Sequence, residues 1–303
     1  MTVSVERCLS EDSLPARLAD LERPPKRLFL HGELPRGPTV AIVGTRHPTT
    51  EAAQFAARLA EQLAEKGIAV LSGGAKGIDS AAHRGALKGG GVTVVVAPAG
   101  IDRPYPDENQ ELFRQVVASG GAYLSLVERT EPAERHSFFP RNAVLVALAH
   151  VVVVVEARFR GGAVNSAGHA RRLGRALFVV PHPPWHELGR GCLLELKRGA
   201  RPLESVKDLL RELAAQNLHA LSPAGAASRG PAPFQESLKF PDTSSPVARR
   251  AAVLAAVQRG ASSSDEICAE TGLSSPQVSE LILTLRLESV LVTDLSGRLQ
   301  IHK

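Results

Sequence analysis

The stretch Val70-Leu71-Ser72-Gly73-Gly74-Ala75-Lys76-Gly77-Ile78-Asp79, continuing into Ser80-Ala81-Ala82-His83-Arg84-Gly85-Ala86-Leu87, constrains the fold more than any other part of the chain. A short run that is apolar without alternation breaks into closely spaced glycines, and an alanine-rich segment follows. That order reads as a buried strand, a tight turn and a helix with Asp79 at its head, since a carboxylate accepts hydrogen bonds from the N–H groups left free in a first turn. Val40-Ala41-Ile42-Val43, the turn Gly44-Thr45-Arg46-His47-Pro48 and a helix over 49–66 repeat the unit, with Thr50 as the cap and Phe55, Leu59 and Leu63 on the apolar side. Further apolar runs at 92–96, 122–126, 151–155 and 176–180 alternate with helical segments at 109–119, 140–149 and 164–173, and a helix over about 204–217 closes the series. Strands that are apolar throughout belong in a parallel sheet covered on both faces, with the helices as right-handed crossovers. The expected fold class is therefore α/β, a doubly wound and mostly parallel sheet.

This main domain spans 39–217. Residues 1–38 read as a lead-in that packs on it, with a helix-like piece at Leu14–Leu21 and a proline-bracketed extended piece at Pro24–Gly32. The stretch 218–246 is rich in proline, alanine and serine without periodicity, and reads as a linker. From 247 to 303 the pattern resumes. A helix to Gln258, a short helix opened by Ser264, the turn Thr271–Ser274, a helix from Ser275 with Pro276 in its first turn and a hairpin over 290–301 give the element order of a small winged helix.

Composition narrows the function classes. The formal charge of +5 and pI near 9.4 suit an anionic partner. Residues 246–303 hold six bases and six acids, so the positive excess lies upstream of the winged helix. Cys8, Cys192 and Cys268 lie far apart and form no metal-ligand spacing, which argues for neither a disulfide framework nor a zinc site and fits a reducing, cytoplasmic setting. The longest apolar stretch, Val144–Val155, is too short to span a bilayer, and no signal-peptide pattern follows Met1, so no membrane partner is expected.

For a doubly wound sheet a nicotinamide dinucleotide is the first candidate, but neither glycine turn matches GxGxxG and no acidic residue closes the following strand to hold a ribose. The turns carry bases instead: Arg46, Lys76, and Arg135 and Arg141 around the helix before the fifth strand. Such turns gather along the carboxyl edge of a parallel sheet, where helix N-termini favour anions, so a row of phosphates would fit there with no cofactor or metal.

Val43-Gly44-Thr45-Arg46, Leu71-Ser72-Gly73-Gly74-Ala75-Lys76-Gly77-Ile78-Asp79, Gly100-Ile101-Asp102 with Tyr105-Pro106, Phe139-Pro140-Arg141-Asn142, Val154-Val155-Glu156-Ala157 and Gly191-Cys192-Leu193 with Gly199-Ala200 closely resemble the DNA-processing protein A (DprA/Smf) family, in order and spacing from about Leu14 to Pro202. The resemblance implies an extended Rossmann-like domain with a C-terminal winged helix. It also implies binding of single-stranded DNA without catalysis, a homodimer, and loading of the RecA recombinase in natural transformation. Carried over by position, Gly44, Thr45, Arg46, Gly73, Gly74, Lys76, Arg135, Phe138 and Arg141 are the implied DNA-binding residues, with Arg141 equally suited to pinning its helix. Leu193, Leu194 and Leu196, in a segment that suits either core packing or an isologous contact, are by family position the implied dimer interface. Asp79 and His83 read as architectural. The chain departs from the family pattern at Ala143, at Ser125-Leu126, at Gly161–Asn165 and at Pro181-His182, where the family has Pro-Gly; Arg158 and Arg160 offer compensating bases. The competing enzyme reading is a LOG-type nucleoside monophosphate phosphoribohydrolase, since Gly161–His169 occupies the place of its glycine turn, but the carboxylate that such hydrolysis requires is missing there.

Overall fold

The computed structural model describes residues 6–10, 13–216, 245–258, 261, 264–271, 273–288, 290–293 and 299–301. The chain divides into two compact units, 1–226 and 227–303, each described by itself.

In the first unit the described strands are β1 (Glu6–Ser10), β2 (Arg27–Gly32), β3 (Thr39–Val43), β4 (Ala69–Ser72), β5 (Thr93–Ala97), β6 (Ala122–Ser125), β7 (Val151–Val154), β8 (Ala176–Val179) and β9 (Arg201–Pro202). They form one sheet in the order β1-β2-β6-β5-β4-β3-β7-β8-β9, parallel from β6 to β9 and antiparallel at β1 and β2. The helices are α1 (Thr50–Glu65), α2 (Ile78–Lys88), α3 (Gln110–Ala118), α4 (Phe138–Leu148), α5 (Gly162–Arg172), α6 (Arg190–Lys197) and α7 (Val206–Ala215). Alternation along β3 sends Ala41 and Val43 into a core layer shared with α4 and α5, and Val40 and Ile42 into a second layer shared with α1, α2 and α7. Both faces are covered, which is why these strands are apolar at every position. The α1–α2 contact is close enough that a Cβ on Gly85 would stand 2.0 Å from the Ala57 carbonyl oxygen, so glycine there is a packing requirement.

Three local expectations are corrected, and one helix is added. The lead-in does more than pack on the domain: β2 pairs with β6 and β1 with β2, extending the sheet by two antiparallel strands. Thr49, not Thr50, caps α1, its hydroxyl accepting from the Ala52 N–H at 3.2 Å. Asp79 lies inside the first turn of α2, whose N-cap is Gly77; its Oδ2 accepts from the Ala75 N–H at 3.3 Å, so it braces the glycine turn instead of capping the helix. Finally, 190–197 is a helix, α6, with Cys192 and Glu195 turned inward. Its apolar and polar residues alternate too closely for the 3.6-residue period to stand out.

In the second unit α8 (Pro246–Gln258), α9 (Ser264–Thr271) and α10 (Ser275–Leu287) precede the antiparallel pair β10 (Leu291–Thr293) and β11 (Leu299–Ile301). Val253, Ala256, Ile267, Val278 and Leu285 are in its core. Ser274 and Gln277 form a capping box at the start of α10. The expected linker lies almost wholly outside the described residues, as does the turn at Ser296-Gly297. Among the described residues no helix is long and apolar enough to cross a membrane.

His83 of α2 is fully buried beneath the glycine turn. Thr93 Oγ1 donates to the Val70 carbonyl (2.6 Å) and therefore accepts from His83 Nδ1 (2.8 Å), which leaves Nε2 buried with no partner among the described residues. A neutral imidazole fits that setting and a cation does not. Burial first, and then Arg141 and Arg84, push the His83 pKa down to about 3. Between about pH 6.5 and pH 3 the unfolded chain binds a proton here that the native chain refuses, so this group makes stability fall as pH falls. In urea titrations across that window, His83→Asn should lose less stability than the wild type, by roughly 1.4 kcal/mol per pH unit. Equal slopes would show that His83 is not the group responsible.

Candidate nucleic-acid interface

From β3 the chain builds outward through β4 and β5 to β6, then returns to place β7 on β3's other side. The turns leaving β3 and β7 therefore diverge, and a doubly wound sheet opens its crevice at the carboxyl ends of two such strands. A cavity of about 460 Å³ lies there, walled by the β3 turn, the start of α4 and the loop from β7 into α5.

The β3 turn is fixed by its neighbours. The Thr45 N–H donates to the Glu156 carbonyl at 2.7 Å, and the Thr45 carbonyl accepts from the Ile78 N–H at 3.2 Å. Gly77, at φ +81°, approaches so closely that a Cβ would stand 2.4 Å from the Thr45 carbonyl oxygen. Locking the turn in this way projects Arg46 outward, exposed, with its guanidinium carbon 5.2 Å from the centre of the Phe138 ring. Arg141 approaches the same ring at 5.8 Å, and Tyr105 meets it edge-on at 6.0 Å. Phe139 beside it is 60% exposed, and the loop Arg158-Phe159-Arg160 puts two exposed arginines on the facing wall. The wall also holds Gly161 and Gly162 at the N-terminus of α5, where free N–H groups favour an anion.

Arg141 differs from the other arginines because it is buried, 5% exposed. Its Nη1 occupies the space a Cβ on Gly73 would need, 1.5 Å away, with Asp79 Oδ2 2.7 Å from that same point. Two buried opposite charges thus meet across a residue that has to be glycine. Burial pushes the Asp79 pKa up and the Arg141 pKa down, and each shift is opposed by the other group's charge. Arg141 lines the cavity, and its buried Nε has no partner among the described residues.

Of the implied DNA-binding residues, Gly44, Thr45, Arg46, Phe138 and Arg141 come together in this cavity. Gly73 and Gly74 lie beneath it, Gly73 against Arg141 and Gly74 with its carbonyl held by Asn109 Nδ2 at 2.9 Å. Lys76 is exposed outside the lining and paired with Glu108, and Arg135 is exposed on the turn Arg135–Ser137 ahead of α4. The sequence reading missed His47, Phe139 and Asn142 as wall residues. Their place next to Arg46, Phe138 and Arg141 was the available signal. Leu193, Leu194 and Leu196 lie on α6, each half-buried, with Leu196 against the core.

Behind the wall, the fully buried Glu156 accepts from the Thr49 N–H at 2.9 Å and the Thr49 hydroxyl at 3.1 Å, and lies 2.7 Å from His186 Nε2. Glu156, His182 and His186 were not expected to meet, because strand, loop and turn had to be placed before their proximity could be read.

Removing one partner of a buried charge pair leaves the other uncompensated. Asp79→Asn keeps the acceptor for Ala75 and should still cost about 3–5 kcal/mol in a denaturant titration. A loss under about 1 kcal/mol would mean that Arg141 finds its compensation elsewhere.

The model of the family described as DNA recombination-mediator protein A matches residues 7–214. A putative DNA processing protein DprA from Mycobacterium tuberculosis is 39% identical over 238 residues, covering 78% of this chain and 58% of its own length. This chain therefore spans little more than half of that relative. DprA from Streptococcus pneumoniae superposes with a TM-score of 0.64 at 32% identity, over 68% of this chain and 74% of the other. DNA processing protein A from Helicobacter pylori, whose structure is described for its single-stranded DNA binding mode, gives 0.62 at 31% identity, over 71% and 97%.

Proposed function

The chain belongs to the DNA recombination-mediator protein A family, and from that premise we propose that its cavity binds single-stranded DNA as a recombination mediator, without turning it over. The observation that carries this is the wall itself: four arginines, Arg46, Arg141, Arg158 and Arg160, face one carboxylate, Asp79, around the aromatic pair Phe138 and Phe139. Arginines suit a phosphate backbone and rings suit unstacked bases, which is the pairing used by single-strand binders. A duplex hides its base faces and leaves the rings nothing to stack on. The binding reading is favoured over phosphoribohydrolase chemistry because the cavity's carboxylate accepts from Ala75 and lies in the field of Arg141, while Glu156 is turned toward Thr49 and His186. By the same family resemblance the protein hands its strand to RecA during natural transformation.

The second unit, read as a winged helix over 247–303, is assigned a role other than duplex binding. Arg286 is the only base on α10, and Glu280 is exposed midway along it, where it repels phosphate. Salt-dependent titration with labelled oligonucleotides tests the whole reading. Arg46→Glu should weaken single-strand binding most and flatten the log–log salt slope by about 0.7 for each phosphate that is no longer neutralised. Phe138→Ala should cost about 1–3 kcal/mol with little change in salt slope. Deleting 240–303 should leave most of the affinity. Equal binding by wild type and Arg46→Glu would remove the cavity from consideration, and a tenfold loss on truncation, about 1.4 kcal/mol, would give the second unit a share of the DNA.

For the homodimer we propose a contact through α6, supported by Leu193 and Leu194 lying on the side away from the buried Cys192 and Glu195. Two cavities on one particle raise avidity through effective concentration. Light scattering should give twice the chain mass at micromolar protein, and Leu193→Glu with Leu194→Glu should halve it. A wild-type monomer with full DNA affinity would rule this assembly out.

A further inference from the structure

We infer that Glu156, His182 and His186 form a binding site for a divalent transition-metal ion, zinc by the chemistry of the donors. One coordinating atom from each residue lies within 4.8 Å of the other two. Two imidazole nitrogens and one carboxylate oxygen are the donors of three-ligand zinc sites, and His182 and His186 have the His-x3-His spacing that zinc ligands use. Calcium and magnesium prefer an all-oxygen shell, which this site does not offer.

The surroundings fit a ligand set. Ligating groups are held by outer hydrogen bonds. Here the Thr49 N–H and hydroxyl fix both oxygens of Glu156, and the Val155 carbonyl lies 2.8 Å from His182 Nε2. The two imidazoles stack with centres 4.9 Å apart and 24° between planes. A shared ion accounts for two stacked imidazoles gathered at one fully buried carboxylate, a convergence that the separate contacts of His186 with Glu156 and of His182 with the Val155 carbonyl do not require. His182 also stands where the family resemblance has glycine, so its presence does not follow from the shared fold. Zinc bonds of about 2.0–2.2 Å put tetrahedral donors about 3.3 Å apart, between the 2.7 Å approach of His186 Nε2 to Glu156 and the 4.8 Å limit of the whole set, so binding needs only a small outward shift of His186 and an inward one of the more distant donor. Both histidines are half-exposed on the segment joining β8 to α6, which can make that adjustment and leaves a fourth position for water. None of the three residues lines the DNA cavity. The ion would act as a clip, fastening this segment to the end of β7 and, through Thr49, to the start of α1.

The test is made on the full chain, stripped with chelator and titrated with zinc chloride by calorimetry, with cobalt(II) absorption as a second readout of the donor set. The expected result is saturable binding of one equivalent, a zinc-dependent rise in Tm, and a cobalt spectrum of low coordination number. His182→Ala and His186→Ala should each weaken zinc binding at least tenfold and abolish the Tm rise, while the remote exposed His136→Ala binds as the wild type. Should His186→Ala lower the metal-free Tm, His186→Gln serves in its place. No saturable binding, or unchanged zinc affinity in either histidine variant, overturns the proposal and leaves Glu156–His186 as an ion pair. DNA affinity plays no part in the outcome.

Discussion

The carboxyl edge of the sheet depends on one short chain of backbone hydrogen bonds. Glu156 at the end of β7 accepts from Thr45, and the carbonyl of Thr45 accepts from Ile78 at the start of α2. Three turns from three different strands are thereby held as one piece. Glu156 adds a side-chain bond to the cap of the helix that follows β3. Gly77 is needed because the second of these backbone bonds brings two turns into contact with no room for a Cβ. An exposed arginine on an unsupported loop would lose conformational entropy on meeting a phosphate. Arg46 stands on a turn already fixed at both ends.

Much of this could be read from residue order. The apolar runs at Val40–Val43 and Val151–Val155 required a sheet covered on both faces, and the glycine turns required close backbone contact at its edge. The strand order could not be read directly, yet it sets the cavity, because only the reversal at β3 and β7 makes their turns diverge. The antiparallel pair β1 and β2 escaped notice for a different reason. Arg27-Leu28-Phe29-Leu30-His31-Gly32 has the composition of a strand, but the prolines before it read as a lead-in, and edge pairing leaves no periodic mark of its own. Asp79 was legible as architectural and misread in detail. Its sequence position suits a cap, while its carboxylate is drawn back toward Ala75 and Arg141, a choice made by a helix whose neighbourhood the local sequence does not specify.

The two kinds of arginine at the cavity do different physical work. Arg141 has already given up its water, and its desolvation is offset by Asp79 whether or not a ligand is present. It therefore offers a preset positive field, and its contribution resists screening. Arg46, Arg158 and Arg160 remain hydrated, and whatever they add to phosphate binding is reduced as salt rises. A site built only from the second kind would bind any polyanion weakly and lose it in salt. One built only from the first would have no reach along a strand.

Phe138 joins these two sets. One ring has Arg46 at 5.2 Å and Arg141 at 5.8 Å, so in the free protein the exposed guanidinium covers the surface that a base would take. A stacking base must displace Arg46 from the ring, and a phosphate beside that base gives the displaced guanidinium a new partner. A cation–π contact at an exposed site is worth about 0.5–1 kcal/mol, less than the roughly 1–3 kcal/mol of a base stacked on an aromatic ring, so the exchange runs toward the nucleic acid. Because it needs a base and a phosphate together, a free anion or a free base gains only half of it. On the proposed single-strand reading, the geometry of one arginine over one phenylalanine would thus favour a polynucleotide strand over either of its parts alone.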